Sequence, residues 1–165
     1  MDANVIIALG SNRRHGRYGP PALVVTAAIE ALGAHGIRVD CRSRIHATAP
    51  VGPSDRTFAN AVIAAQTSLS PHDLLAALKE IERDFGRRRG RRWGARVLDL
   101  DIIAYGDTVL PSRAVWPGRH GLAIPHRAMH LRDFVLLPMR EVAPDWRHPL
   151  FNRTVRQLVA RGWRA

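Results

Sequence analysis

Apolar and polar positions along the chain switch between a period of two and a period near 3.6. Val5-Ile6-Ile7-Ala8-Leu9 is an unbroken apolar run closed by Gly10-Ser11-Asn12, which predicts a buried strand entering a turn. Pro20 and Pro21 precede Ala22 to Leu32, where apolar residues recur at helical spacing until Gly33, so a helix is expected there. Ile37 to Ile45 alternates, with Ile37, Val39 and Cys41 set against Arg38, Asp40 and Arg42, as a half-buried strand does. A loop is expected over Ala49 to Thr57 and a third strand over Ala59 to Thr67. Ser70-Pro71-His72-Asp73 supplies a cap, an N1 proline and a first-turn acid for a helix reaching Phe85. Gly86 to Arg96 is too basic and too broken by glycine for a core element, and Leu98 to Tyr105 returns to strand before the turn Gly106-Asp107. Two further helices are expected over Phe134 to Val142 and Thr154 to Ala160.

The order strand, helix, strand, strand, helix, strand predicts an α+β fold. Its form is a ferredoxin-like sandwich, an antiparallel sheet with two helices on one face plus C-terminal helical additions. No linker or repeat divides residues 1–165, so one domain is expected. The 46% hydrophobic and 24% charged composition fits a soluble globular chain, and no apolar run approaches the roughly 20 residues that span a bilayer. The apolar start lacks the features of a signal peptide, so the cytoplasm is the expected compartment. Cys41 is the single cysteine, which excludes an internal disulfide and reads as an ordinary strand residue.

The formal charge is +11, and Lys79 is the only lysine among 25 basic residues. Arginine's planar fork suits phosphate, so the excess points to an anionic partner, either nucleic acid or nucleotide. Charge alone does not separate the two. A sheet-borne RNA module would share the element order, but no strand carries its Lys/Arg-Gly-Phe/Tyr-Gly/Ala-Phe signature. A P-loop nucleotide site is excluded as well: there is no Gly-x-x-x-x-Gly-Lys-Ser/Thr run, and Lys79 lies inside the second helix.

The candidate chemistry sits in Leu98-Asp99-Leu100-Asp101-Ile102. Strand side chains alternate, so Asp99 and Asp101 share one face, their carboxylates roughly 6 to 7 Å apart, while the apolar residues share the other. Like charges on one face repel, and a magnesium ion bound to carboxylates and phosphate oxygens relieves that repulsion. For an isolated Asp-x-Asp a solvated strand face is the better explanation. The neighbourhood changes that balance, because six arginines between Gly86 and Arg96 lead directly into the pair. Such arginines can grip phosphate in bidentate fashion and stabilise charge on a transferring group.

The pieces Ala8-Leu9-Gly10-Ser11-Asn12, Thr48-Ala49-Pro50-Val51-Gly52-Pro53, Phe58-Ala59-Asn60-Ala61 and Ile81-Glu82 occur in order, as do Ile124-Pro125-His126 and Arg132-Asp133-Phe134-Val135-Leu136. With Arg92-Trp93-Gly94-Ala95-Arg96-Val97-Leu98-Asp99-Leu100-Asp101-Ile102, the most specific of them, they make the chain resemble the 6-hydroxymethyl-7,8-dihydropterin pyrophosphokinase family. The resemblance implies transfer of pyrophosphate from ATP to the hydroxymethyl group of the pterin, leaving AMP, as a step in folate biosynthesis. It implies that Asp99 and Asp101 hold two Mg2+ ions, and that Arg87, Arg89, Arg92 and Arg96 bind the phosphates, Arg87 and Arg96 as catalytic groups. Glu82, Trp93, Ile102, His126 and Arg132 match positions of the nucleotide site. Thr48, Pro50, Val51, Gly52, Phe58, Asn60 and Phe134 match the pterin pocket. His46 stands where the family commonly has tyrosine. Small-molecule substrates are the expected partners, with no specific nucleic acid, no membrane and a monomeric chain. Independently of the family, the two phenylalanines could sandwich a flat heteroaromatic ring while the Asn60 amide pairs with a donor and an acceptor on its edge.

Overall fold

The computed structural model describes residues 1–48, 57–86 and 97–160. Its elements run β1 (Ala3–Ser11), α1 (Pro21–Ala31), β2 (Ile37–Arg42), β3 (His46–Thr48), β4 (Phe58–Thr67), α2 (Pro71–Asp84), β5 (Asp99–Tyr105), α3 (Asp133–Val142) and α4 (Val155–Ala160). The sheet order is β2-β4-β1-β5, with β3 extending the same edge of β4, and every pairing is antiparallel. Each helix α1 and α2 therefore links two strands that point the same way and are separated by a third. This is the split βαβ arrangement expected of a ferredoxin-like sheet.

The two faces of the sheet are covered differently. Val5, Ile7 and Leu9 of β1, Ala61 and Ile63 of β4, and Leu100 and Ile102 of β5 point to one side, where α1 and α2 close over them. The intervening residues Ile6, Val62, Ile103 and Ala104 point to the other side and meet Val135, Leu136 and Met139 of α3 and Val155 and Leu158 of α4. The C-terminal helices are thus a second layer over part of the opposite face. One β5 strand, with Leu100 fully buried and Asp99 and Asp101 half-buried, belongs to both layers.

Local chemistry explains the element limits. Ser70 Oγ accepts from the Asp73 amide at 3.2 Å, as a cap before an N1 proline should. Three limits differ from the sequence reading. β1 does not turn at Gly10: Gly10 and Ser11 stay in strand, because Gly10 pairs with Asn60 on one side and Asp99 on the other. α1 does not stop at Gly33 but tightens into a 3-10 turn over Leu32–His35, ending at Gly36, whose φ of 75° suits glycine. The strand expected over residues 37–45 breaks after Arg42, where Ser43 bonds Val62 through both its amide and its hydroxyl before β3 begins. Cys41 is exposed on β2. No helix among the described residues is long and apolar enough to cross a membrane.

Candidate active site

Strand alternation places Asp99 and Asp101 on the face opposite α1 and α2, at the end that α3 leaves uncovered. Asp99 pairs with Gly10, Gly10 pairs with Asn60, and Asn60 pairs with His46, so one line across four strands runs from the carboxylates to the β3 edge. Gly10 is the low point of that line: a Cβ there would stand 2.9 Å from Asn60 Oδ1. Asn60 is 7% exposed, and its Nδ2 donates to Thr48 Oγ1 at 2.6 Å, which leaves Oδ1 lying over the glycine.

Burial and the neighbouring Asp99 raise the Asp101 carboxyl to about 6, against the opposing pull of Lys79 and Arg132. A carboxylate pair in that state stores repulsion that a divalent cation would relieve. Among the described residues no group of three or more His, Cys, Asp or Glu side chains could hold a metal by itself. Two carboxylates with the remaining positions left to phosphate oxygens and water is the donor set that suits magnesium, so the residues fit that ion.

Glu82, expected in the nucleotide site, lies close enough to act electrostatically on Asp101 and also anchors the strand that carries it. Its side chain is completely buried on α2, accepts the Leu100 amide at 2.8 Å and pairs with Lys79 Nζ at 2.9 Å. Leu100 lies between the two aspartates on the sheet's outer strand, so Glu82 satisfies an edge amide and fixes the strand that carries them. Ile102 likewise turns its side chain into the α1/α2 core, at 3% exposure, and can meet a ligand only through its main chain.

His126 and Arg132 do gather beside the aspartates. The His126 amide donates to Ile103 O at 2.9 Å, fixing the residue against β5, and its Nδ1 accepts from the Ala128 amide at 3.2 Å. The proton therefore sits on Nε2. Burial, then the charges of Arg132 and Arg127, lower this imidazole to about 4, so at neutral pH it is an uncharged donor. Arg132 acts electrostatically on both Asp101 and His126, and its guanidinium also lies 5.5 Å from the Phe134 ring centre.

The pterin-side residues come together only in part. Thr48, Phe58 and Asn60 share the face of the aspartates, with Thr48 paired to Phe58 across the sheet. Phe134 is half-buried at the start of α3, and among the described residues no ring contact joins it to Phe58. Pro50, Val51, Gly52, Arg87, Arg89, Arg92, Trp93 and Arg96 lie outside the described residues.

The sequence reading missed Gly10 as the floor of the site and Lys79 as the partner of Glu82. Both had a signal: Gly10 interrupts a run of strand formers, and Glu82 falls on the same helical face as Leu74, Leu78 and Ile81.

Residues 6–144 match the family model described as 7,8-dihydro-6-hydroxymethylpterin-pyrophosphokinase (HPPK). The chain belongs to this family. A relative from Methylorubrum extorquens, 2-amino-4-hydroxy-6-hydroxymethyldihydropteridine pyrophosphokinase, is 41% identical over 158 residues, covering 94% of this chain and 90% of that protein. The Pseudomonas aeruginosa protein of the same name is 39% identical over 151 residues, covering 90% and 86%. Among solved structures, the Plasmodium falciparum HPPK-DHPS wild type has a TM-score of 0.75 at 13% identity, a likeness of fold alone. It covers 98% of this chain but only 44% of the longer Plasmodium chain. HPPK membership makes the chain an ATP-dependent pyrophosphokinase.

Proposed function

We propose that this HPPK-family chain, acting as one domain, transfers pyrophosphate from ATP to 6-hydroxymethyl-7,8-dihydropterin at the uncovered end of the second sheet face. The observation that carries this reading is the line Asp99–Gly10–Asn60: carboxylates for a metal-bound polyphosphate at one end, an amide for a heteroaromatic edge at the other, and a glycine floor between.

Asp99 and Asp101 would hold magnesium, two ions in the fullest form of the proposal, and the metal would neutralise phosphate charge and help orient the polyphosphate. Everything else falls to the chain's own groups. Asn60, its Nδ2 held by Thr48, presents Oδ1 to a ring N–H of the pterin, and Phe58 and Phe134 offer apolar faces to the ring. Arg132 brings positive charge to the junction of the two substrates, and His126 donates from Nε2 to the nucleotide. Arg87, Arg89, Arg92, Trp93 and Arg96 are assigned to the phosphates and base on their place in the family motif. With both substrates bound, the hydroxymethyl oxygen attacks the β-phosphorus in line. An O–P bond forms there as the bond from the β-phosphorus to the α,β-bridging oxygen breaks, the hydroxyl proton passes to solvent water, and AMP departs with the bridging oxygen. Positioning and charge neutralisation supply the acceleration, since no covalent intermediate is needed.

The chain is further proposed to work as a monomer in the cytoplasm, with its charge serving phosphate binding rather than specific nucleic-acid recognition. Incubation of purified protein with Mg2+, ATP and 6-hydroxymethyl-7,8-dihydropterin should release AMP and pterin diphosphate in equal amounts. Release of ADP, or no AMP, overturns the reading.

A further inference from the structure

Glu141, at the C-terminal end of α3, collects three donors from Arg44, which joins β2 to β3, and from His46 at the start of β3. It accepts from the Arg44 amide at 2.8 Å, from Arg44 Nη2 at 3.3 Å and from His46 Nε2 at 2.7 Å. The Arg44 amide foremost, helped by the His46 and Arg44 side chains, holds its carboxyl below the ordinary glutamate range against the opposing effect of desolvation. These bonds join segments 95 or more residues apart in the chain, and the His46 and Glu141 side chains remain 24% and 25% exposed.

The place of this contact gives it a consequence. His46 is the cross-strand partner of Asn60, two residues before Thr48, which orients the Asn60 amide. Glu141 follows Phe134 by seven residues on the same helix, two turns along the same face. A clasp at Glu141 therefore adds a polar tie between α3 and β3 to the apolar packing of Val135, Leu136 and Met139 on the sheet, and so bears on the separation of Phe134 from Thr48 and Asn60. After Ser43, which is still bonded to Val62, Arg44 and Ile45 lie outside the strands, and the Arg44 amide turns to Glu141 instead of to β4.

We propose that His46 and Glu141 are positioning residues that hold the two sides of the pterin pocket in place and thereby set its affinity for the pterin substrate. The proposal deepens the functional reading above and rests on it. Neither residue touches the substrate; both act through Thr48, Asn60 and Phe134.

The test uses initial rates of AMP release by the purified full chain, with each substrate varied while the other is saturating. Glu141→Ala should raise the KM for the dihydropterin roughly fivefold, the scale of one partly exposed charge-assisted contact, and leave the KM for Mg-ATP within about twofold. Glu141→Gln keeps an acceptor for the Arg44 amide and should recover most of the loss. His46→Phe should match Glu141→Ala, and the double variant should be no worse than either single change, because the pair acts as one unit. An unchanged pterin KM, equal rises in both KM values, or additive single effects would each overturn the clasp. Should Glu141→Ala fail to fold, the Glu141→Gln and His46→Phe pair decides by the same criteria. Wild-type AMP release in the same series separates the two claims: its absence sinks the functional reading, while its presence with unmoved KM values sinks the clasp alone.

Discussion

The two faces of the sheet are made by the same strands and differ in what they do. Toward α1 and α2, β1, β4 and β5 present Val5, Ile7, Leu9, Ala61, Ile63, Leu100 and Ile102, all buried, in an apolar layer that runs the length of the sheet. On the opposite side the apolar set Ile6, Val62, Ile103 and Ala104 occupies only one end, under α3 and α4, and the other end carries Asp99, Asp101, Asn60 and Gly10. Stability is concentrated on the first face, and the second combines a smaller core with a polar shelf that a charged ligand can reach. A residue and its chain neighbour on β5 can therefore have opposite tasks, which makes the strand a place to separate folding from catalysis.

The largest contrast is expected within that strand. Asp99→Ala or Asp101→Ala should lower turnover by roughly a thousandfold or more, on the scale of losing preorganised charge stabilisation, while leaving the thermal midpoint unchanged or raised. Unfolding of both variants would show that the aspartates serve the fold. Leu100→Ala, one residue away, should cost about 2–5 kcal/mol of stability as a fully buried leucine, measured by urea unfolding. A loss under about 1 kcal/mol would mean that the helical face is less tightly packed than its burial indicates.

Glu82→Ala comes next. It strands the Leu100 amide and leaves Lys79 without its 2.9 Å partner, so it should cost roughly 1–3 kcal/mol and lower metal affinity through the displaced strand. Lost nucleotide affinity with unchanged stability would instead favour direct nucleotide contact by Glu82. Gly10→Ala is milder: the added methyl must push Asn60 aside and rises from the floor under the polyphosphate, so the KM for the pterin should rise more than the KM for ATP in steady-state assays.

The smallest effect is the dependence on pH. Asp101 titrates near 6 in the folded protein against 3.8 for an ordinary aspartate, so without metal the folded state binds more protons across that interval and loses stability as pH rises through it. Mg2+ must displace the proton, so its affinity should increase with pH by up to roughly tenfold per unit until about pH 6 and then level off. His126 and His148 act in the opposite sense. Burial lowers each to about 4, helped by Arg132 at His126 and by His130 at His148, so their contribution is present above pH 6.5 and is lost as pH falls toward 4. His148 contributes without touching the shelf, and its buried Nε2 has no hydrogen-bond partner among the described residues. Urea midpoints between pH 4 and 7 should give a shallower slope for His148→Leu than for the wild type; equal slopes would remove His148 from the account.

Much of this was legible in the chain. The alternation in Leu98 to Ile102 placed the aspartates on one face, the Ser70 cap located α2, and the strand and helix order specified the sheet. Features that depend on pairing across the sheet were not legible. Gly10-Ser11 carries the signature of a turn, and two neighbouring strands hold it extended instead. The chain between Arg42 and His46 reads as continuous strand, and the Ser43 bonds to Val62 break it. Glu82 is placed by the family motif in the nucleotide site, and its bond from α2 to the Leu100 amide of β5 is visible only in the fold. The His46–Glu141 contact spans 95 residues and has no local periodicity to announce it.

The central claim is that the polar half of the second face holds both substrates, with metal at the aspartates. A crystal structure with Mn2+, a non-hydrolysable ATP analogue and 6-hydroxymethyl-7,8-dihydropterin tests it most directly. Anomalous signal should appear against the Asp99 and Asp101 carboxylates, with the pterin edge on Asn60 and the polyphosphate between them over Gly10. Metal bound elsewhere, or a nucleotide seated away from this end of the sheet, would contradict the account.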